Sequence, residues 1–243
     1  PCCQLHEVIV LPDTPIKFIH PVSAEVIRLA TRWLMPRDAT HVMLLAHGAG
    51  ANLDHHHMQH IADSLAEKRI ATLRFNFPYM QAGKKRTDAL PVCLAAINLA
   101  LQALLHKETS CPILLAGHSF GGRMMSHYAA TQLADEELMP ASQRIAGLVY
   151  FSFPLHPTGK PDTKRADHMS EIALPQVFLS GTRDTLAQGD LLTQTVHGMQ
   201  NAKIHWLDTA DHGFKILKRT RTNPESVYHE SARIVHDWLP TCH

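Results

Sequence analysis

Residues 112–122 read PILLAGHSFGG. An apolar run long enough for a buried strand stops at glycine, and Ser119 then stands between Gly117 and the pair Gly121–Gly122. Gly and Ser are common turn residues, so the plain reading is a strand-to-helix turn. The sharper reading is a nucleophile, because a G-x-S-x-G turn lifts the serine oxygen clear of a sheet and needs small residues on both sides. What the other strand ends carry separates the two.

Short apolar runs alternate with helical patterns on both sides of this stretch. HVMLLAH (41–47), IATLRFNF (70–77), PILLAGH (112–118), IAGLVYFSF (145–153), QVFLSGT (176–182) and KIHWLDT (203–209) read as strands. Helical patterns fill 57–69, 88–106, 121–134, 186–199 and 224–239. In the second of these, Asp88 is a candidate cap and Pro91 sits in the first turn. Strand-then-helix order predicts an α/β fold, a doubly wound, mostly parallel sheet with helices on both faces. Runs apolar at every position, such as HVMLL and PILLA, suit strands covered on both sides. Upstream, HEVIVLP (6–12) reads as an edge strand. AEVIRLATRWLMP (24–36) reads as a long, half-exposed strand in preference to a helix. No repeat, low-complexity tract or linker interrupts the chain, so residues 1–243 are expected to form one domain.

The 243 residues are 45% hydrophobic and 19% charged, enough for a sizeable core. Net charge is +1 with histidines neutral, which offers no bulk attraction to nucleic acid or membrane. No apolar stretch approaches the roughly 20 residues of a membrane helix. The opening PCCQLHEVIV has neither the basic segment nor the apolar core of a signal peptide. Cys2, Cys3, Cys93, Cys111 and Cys242 are scattered and odd in number, and read as free thiols of a reducing cytoplasm. Among the histidines, His55, His56 and His57 are consecutive. Consecutive helical side chains diverge, so no metal is expected there, and no other cofactor is implied.

In doubly wound sheets, ligands bind outside the carboxyl ends of the strands. After 41–47 comes HGAGAN, after 112–118 comes Ser119, after 176–182 come Arg183 and Asp184, and after 203–209 comes ADHGF. These segments supply an oxyanion loop, a serine, a carboxylate and a histidine. A serine hydroxyl is a weak nucleophile and needs an adjacent base. Histidine titrates near neutrality and can take and return the proton. A carboxylate fixes the tautomer of the histidine and stabilises its cation. Ser119 is therefore the expected nucleophile, His212 the base and Asp184 the acid, with the N–H groups of Phe120 and Ala49 as the oxyanion hole. Asp184 also suits a cap for the helix at 186. Asp208 and Asp211 are rival acids. Asp211 adjoins His212, and adjacent side chains rarely turn back onto each other, while Asp208 falls inside the last strand.

The segments HGAGANLDHHHM, LRFNFPYM, AGKKRTDALP, GHSFGGRMMS, PLHPTGKP, SGTRD and DHGFK together resemble one branch of the α/β-hydrolases. This branch comprises small bacterial hydrolases similar to testis-expressed protein 30, with the dienelactone hydrolases as more distant kin. The likeness runs from about residue 41 to the last helix. It implies the α/β-hydrolase fold, a hydrolase activity, the triad Ser119, Asp184 and His212, and an oxyanion loop at His47–Gly50. The family motif usually carries Lys or Arg before the serine and Met after it, where this chain has His118 and Phe120. The resemblance implies no substrate, and some relatives serve as subunits of larger assemblies.

PLHPTGKPDTKRADHMSEIALP (154–175) is all that separates two strands where a lid would be inserted. A minimal lid predicts an open, shallow site for small or surface-presented substrates. Lys84, Lys85 and Arg86 follow one strand, and His156, Lys160, Lys164 and Arg165 follow another. Loop cations are usually just solvated. The alternative is that Lys85, Arg86, His156 and Lys160, with Gly50 and Asn52 of the oxyanion loop, receive an anionic group of the substrate. Arg123, one turn past the serine, would share in this or hold two loops through carbonyl bonds. The expected function is that of a cytoplasmic serine hydrolase, cleaving a small-molecule ester or thioester through an acyl-enzyme. The alternative is a hydrolase-like interaction protein or assembly subunit with idle catalysis.

Overall fold

A computed structural model of the chain describes residues 8–9, 13–107, 110–133 and 143–239. Its strands are β1 (Val8–Ile9), β2 (Ile16–Ile19), β3 (Val26–Leu29), β4 (Thr31–Pro36), β5 (His41–Ala46), β6 (Ile70–Phe75), β7 (Ile113–His118), β8 (Ile145–Phe151), β9 (Gln176–Gly181) and β10 (Ala202–Leu207). Eight of them form one sheet in the order β1-β4-β6-β5-β7-β8-β9-β10, and β2 pairs with β3 as a separate hairpin. From β6 across to β10 all neighbours run parallel. β4 and β1 add an antiparallel edge.

The helices are α1 (His56–Ala66), α2 (Pro78–Gln81), α3 (Leu90–Leu105), α4 (Phe120–Gln132), α5 (Gly189–His197) and α6 (Val227–Trp238), with a 3-10 helix at Lys164–Glu171. The chain leaves β5 to one side to make β6, then crosses back to make β7 on the other side. Right-handed crossovers in opposite directions put their helices on opposite faces. Accordingly α1 and α6 pack on the face carrying Met43, Leu45, Leu114 and Ala116. Helices α3, α4 and α5 cover the face carrying Val42, Leu44, Ile113 and Leu115. Strand residues that alternate between two apolar layers must be apolar at every position, which is why β5 and β7 carry no polar stripe. The strand order reverses between β5 and β7, and in doubly wound sheets ligands bind beyond the carboxyl ends of the strands at such a point.

Several expected elements shift. AEVIRLATRWLMP breaks at Ala30 into β3 and β4, which join different sheets. Helix α3 starts at Leu90, capped by Ala89 without a side-chain bond. Asp88 instead accepts the N–H of Tyr79 at 2.7 Å, a tie between loops that outcompetes capping. The helix expected over 186–199 contracts to α5, because residues 184–188 form a turn closed by the Asp184 carboxylate. Cys93 is buried and Cys111 partly so, and their thiols donate to the carbonyls of Asp88 and Ala39. Cys2, Cys3, Cys242 and most of HEVIVLP lie outside the described residues. Among the described residues no helix is long and apolar enough to cross a membrane.

Candidate active site

Ser119 sits between β7 and α4 with φ 52° and ψ −116°, a conformation that costs a side-chain-bearing residue energy. Its neighbours explain the sequence. A Cβ on Gly117 would stand 2.4 Å from the Gly121 carbonyl carbon, and one on Gly121 would stand 2.4 Å from the Ala46 oxygen. Strand β7, helix α4 and the end of β5 approach so closely here that only glycine fits. The Ser119 N–H donates to the Phe151 carbonyl of β8 at 2.9 Å, which anchors the turn to the sheet.

The Ser119 hydroxyl lies 2.7 Å from His212 Nε2. His212 Nδ1 lies 2.9 Å from Asp184 Oδ1 and 2.8 Å from Oδ2. The hydroxyl donates to Nε2, and the Nδ1–H donates to the carboxylate, which selects the tautomer a general base requires. The Asp184 side chain is fully buried, and that of His212 keeps 22% of its surface exposed. Asp184 Oδ1 also accepts the Leu186 N–H at 2.8 Å, so one carboxylate both closes its own turn and faces the histidine. The rival acids are engaged elsewhere. Asp211 Oδ1 accepts the N–H groups of Gly213 and Lys215 at 3.0 and 2.9 Å. Asp208 Oδ2 accepts the Thr222 N–H at 3.2 Å. Thr209 and Phe214, both at positive φ, bracket the tight turn that carries His212 past the end of β10.

The N–H of Phe120 is the first of α4, one of the donors that a helix start leaves unpaired. Among the described residues neither this N–H nor that of Ala49 has a backbone acceptor. The loop carrying Ala49 is firmly held. His47 is fully buried, its Nδ1–H donates to the Gly48 carbonyl at 2.8 Å, and its Nε2 accepts the Phe77 N–H at 3.1 Å. Burial pulls the pKa of His47 down to about 4, so the ring is neutral at pH 7. The Tyr79 hydroxyl donates to the Ala49 carbonyl at 3.0 Å. Sequence reasoning assigned Tyr79 no role, and its only signal was its place in the LRFNFPYM segment.

The expected substrate contacts fare unevenly. Gly50, Asn52, Lys85, Arg86 and Lys160 are exposed on loops. His156 is buried instead, for a structural reason. Its Nδ1–H donates to the Pro157 carbonyl at 2.9 Å and its Nε2 accepts the Gln188 N–H at 2.8 Å. That stitches segment 154–175 to the loop behind Asp184 and leaves the ring no free nitrogen for a ligand. The carbonyl bond expected of Arg123 belongs to Arg165, whose Nη1 donates to Pro154 at 3.3 Å. Arg123 Nε is buried without a partner among the described residues. Burial and then the charge of Arg165 lower its pKa. A hollow of about 440 Å³ lined by His41, Pro112, Arg144 and Pro175 lies at the amino ends of the strands, the edge opposite Ser119.

Comparison with known proteins agrees with this fold. A family model described as alpha/beta hydrolase domain matches residues 39–240. Est1E from Butyrivibrio proteoclasticus, in a structure with ferulic acid bound, superposes with a TM-score of 0.68 at 18% identity, covering 88% of this chain and 96% of that one. Dienelactone hydrolase from Anabaena variabilis gives 0.66 at 16% identity, covering 94% and 98%. XC6422 from Xanthomonas campestris, described as a serine hydrolase without a lid, gives 0.63 at 15% identity, covering 97% and 95%. The match is to the domain as a whole, so the narrower likeness to testis-expressed protein 30 rests on the sequence motifs alone.

Proposed function

The chain belongs to the alpha/beta hydrolase family, and from that premise we propose that it is a serine hydrolase cleaving an ester or thioester of a small acid through an acyl-enzyme. The observation that carries this reading is the unbroken hydrogen-bond chain from Ser119 Oγ through His212 to Asp184. In the first half-reaction His212 Nε2 takes the hydroxyl proton as Ser119 Oγ attacks the substrate carbonyl carbon. Asp184 stabilises the imidazolium that results. The N–H groups of Phe120 and Ala49 receive the negative charge developing on the carbonyl oxygen. Collapse expels the alcohol or thiol, which takes the proton from His212. Water then attacks the acyl-serine by the same path and releases the acid.

Segment 154–175 packs down through buried Leu155, Ala166, Met169 and Ile172, which supports an open site without a large lid. That favours small or surface-presented substrates over long acyl chains. The ferulic acid bound to Est1E and the lactone in the name of the Anabaena relative are small carboxylic acid derivatives of this kind. A cytoplasmic setting fits the buried free thiol of Cys93. The test is labelling with a fluorophosphonate probe, followed by mass mapping of the modified peptide. The reading expects modification at Ser119 and none in Ser119→Ala. Modification at Ser152 or Ser180 would overturn the assignment, and no modification of folded protein would favour a hydrolase-like subunit with idle catalysis.

A further inference from the structure

His118, the residue before the nucleophile, has no part in the steps above, yet it touches the base. Its Nε2 lies 3.0 Å from the carbonyl oxygen of His212. A carbonyl only accepts, so Nε2 carries the proton and the ring is a donor. The ring is held on its other sides. His57 of α1 packs edge-on at 4.3 Å between centroids, and His57 Nδ1 is in turn 2.9 Å from the Tyr228 hydroxyl of α6. At Gly48 even a Cβ would come within 2.9 Å of His118 Nδ1.

The sheet order gives this bond its importance. Ser119 follows β7 and His212 follows β10, and β8 and β9 lie between them. Among the described residues no backbone pairing therefore joins β7 to the loop that carries His212. The His118 bond spans that gap, directly beside the Ser119–His212 contact that must be held within a fraction of an ångström for proton transfer.

Resting on the serine hydrolase reading, we propose that His118 is a positioning residue: as a hydrogen-bond donor it ties the His212 backbone to the nucleophile strand, so that Ser119 Oγ and His212 Nε2 keep their register. Neutrality matters because the ring centroids of His118 and His212 are 5.4 Å apart. A cation at 118 would oppose the imidazolium that forms at His212 on acylation. The groups around His118 are His57 and His55 on the α1 side, His212 across the bond, and the Asp184 carboxylate beyond it. Burial, the largest influence, draws the His118 pKa down to about 4.

Three variants separate positioning from mere packing. His118→Ala removes the donor, His118→Gln supplies an uncharged one of similar reach, and His118→Lys supplies a charged one. Turnover of a small activated ester is followed across pH, with thermal midpoints measured for every variant. His118→Ala is expected to lower kcat about 10- to 100-fold, with KM changed less than about threefold. His118→Gln is expected to recover most of kcat with the acidic limb of the kcat/KM profile in place. His118→Lys is expected to move that limb to lower pH, because the added cation disfavours protonation of His212. A kcat for His118→Ala within about twofold of the parent would overturn the proposal. So would a His118→Gln as impaired as His118→Ala at equal thermal midpoint, since only shape would then matter. Should His118→Ala not fold, the contrast between Gln and Lys decides alone. Ser119→Ala, assayed in parallel, keeps the two readings apart. If it still hydrolyses the ester, the serine hydrolase reading fails; if it is inactive while His118→Ala is unimpaired, only the positioning role fails.

Discussion

Lowering the pH from 7.5 to 5 should destabilise the fold through histidines held neutral, and His47 allows the size to be worked out. In the native state its Nε2 accepts the Phe77 N–H and its Nδ1–H is bonded to Gly48. Protonation would set two N–H groups against each other in a site without solvent. The native pKa is thus pulled to about 4, against roughly 6.5 in the unfolded chain. With a depressed native value, the unfolded state binds the extra proton first. The stabilisation is complete above roughly pH 6.5 and drains away as pH falls towards 4. The slope approaches about 1.4 kcal/mol per pH unit, and the loss at pH 5 is about 2 kcal/mol for this one group. His57, pulled to about 2 by burial and then by His118, adds a loss of similar size. A domain with about 5–15 kcal/mol of net stability feels both. The assay is urea unfolding at several pH values and constant ionic strength, for the parent and His47→Asn. Asn keeps a donor near the Nδ1 position and does not titrate. The variant should be less stable at pH 7.5, yet its stability should fall less steeply on acidification, by about one proton. Parallel slopes for the two proteins would refute the reasoning, because His47 would then titrate alike folded and unfolded.

Three further outcomes are expected. Asp184→Asn should lower kcat by several powers of ten, as loss of the orienting carboxylate does in other triads, while Asp208→Asn should leave kcat within about threefold; the reverse pattern in ester turnover would move the acid to Asp208. For esters differing only in a terminal carboxylate, Lys85→Ala and Lys160→Ala should change the preference less than about tenfold and only at low salt, as exposed ion pairs do. Arg123→Gln should cost more and persist in salt if its partly buried guanidinium contacts the anion, and equal kcat/KM for the paired esters in the parent would dismiss any anion preference.

The sheet, its two helical layers and the place of its reactive edge were legible in the sequence. Their causes are local and periodic: apolar runs for strands buried on both faces, glycines where β7, α4 and β5 meet, and chemically distinctive residues just past strand ends. Ser119, Asp184 and His212, which the structure joins in one hydrogen-bonded chain, stand out this way because each lies just past a readable strand. Other features depended on neighbours far off in the chain. Asp88 looked like a helix cap and instead holds Tyr79. His156 looked like a substrate contact on a wet loop and is instead buried against Gln188. AEVIRLATRWLMP was recognisably extended, but alternation cannot say which sheet each half joins.

The sequence by itself determined the class of fold and the kinds of side chain at the carboxyl edge, because propensity, periodicity and the steric demands of glycine act over a few residues. Only the tertiary structure decided what each polar atom does there. His47, His118 and His156 are the same residue type near strand ends. The structure makes the first a brace for the loop after β5, the second a bridge to the His212 carbonyl and the third a loop tie. An imidazole has two nitrogens whose roles are set by whichever distant groups the fold brings within about 3 Å, and no local pattern in the sequence records those partners.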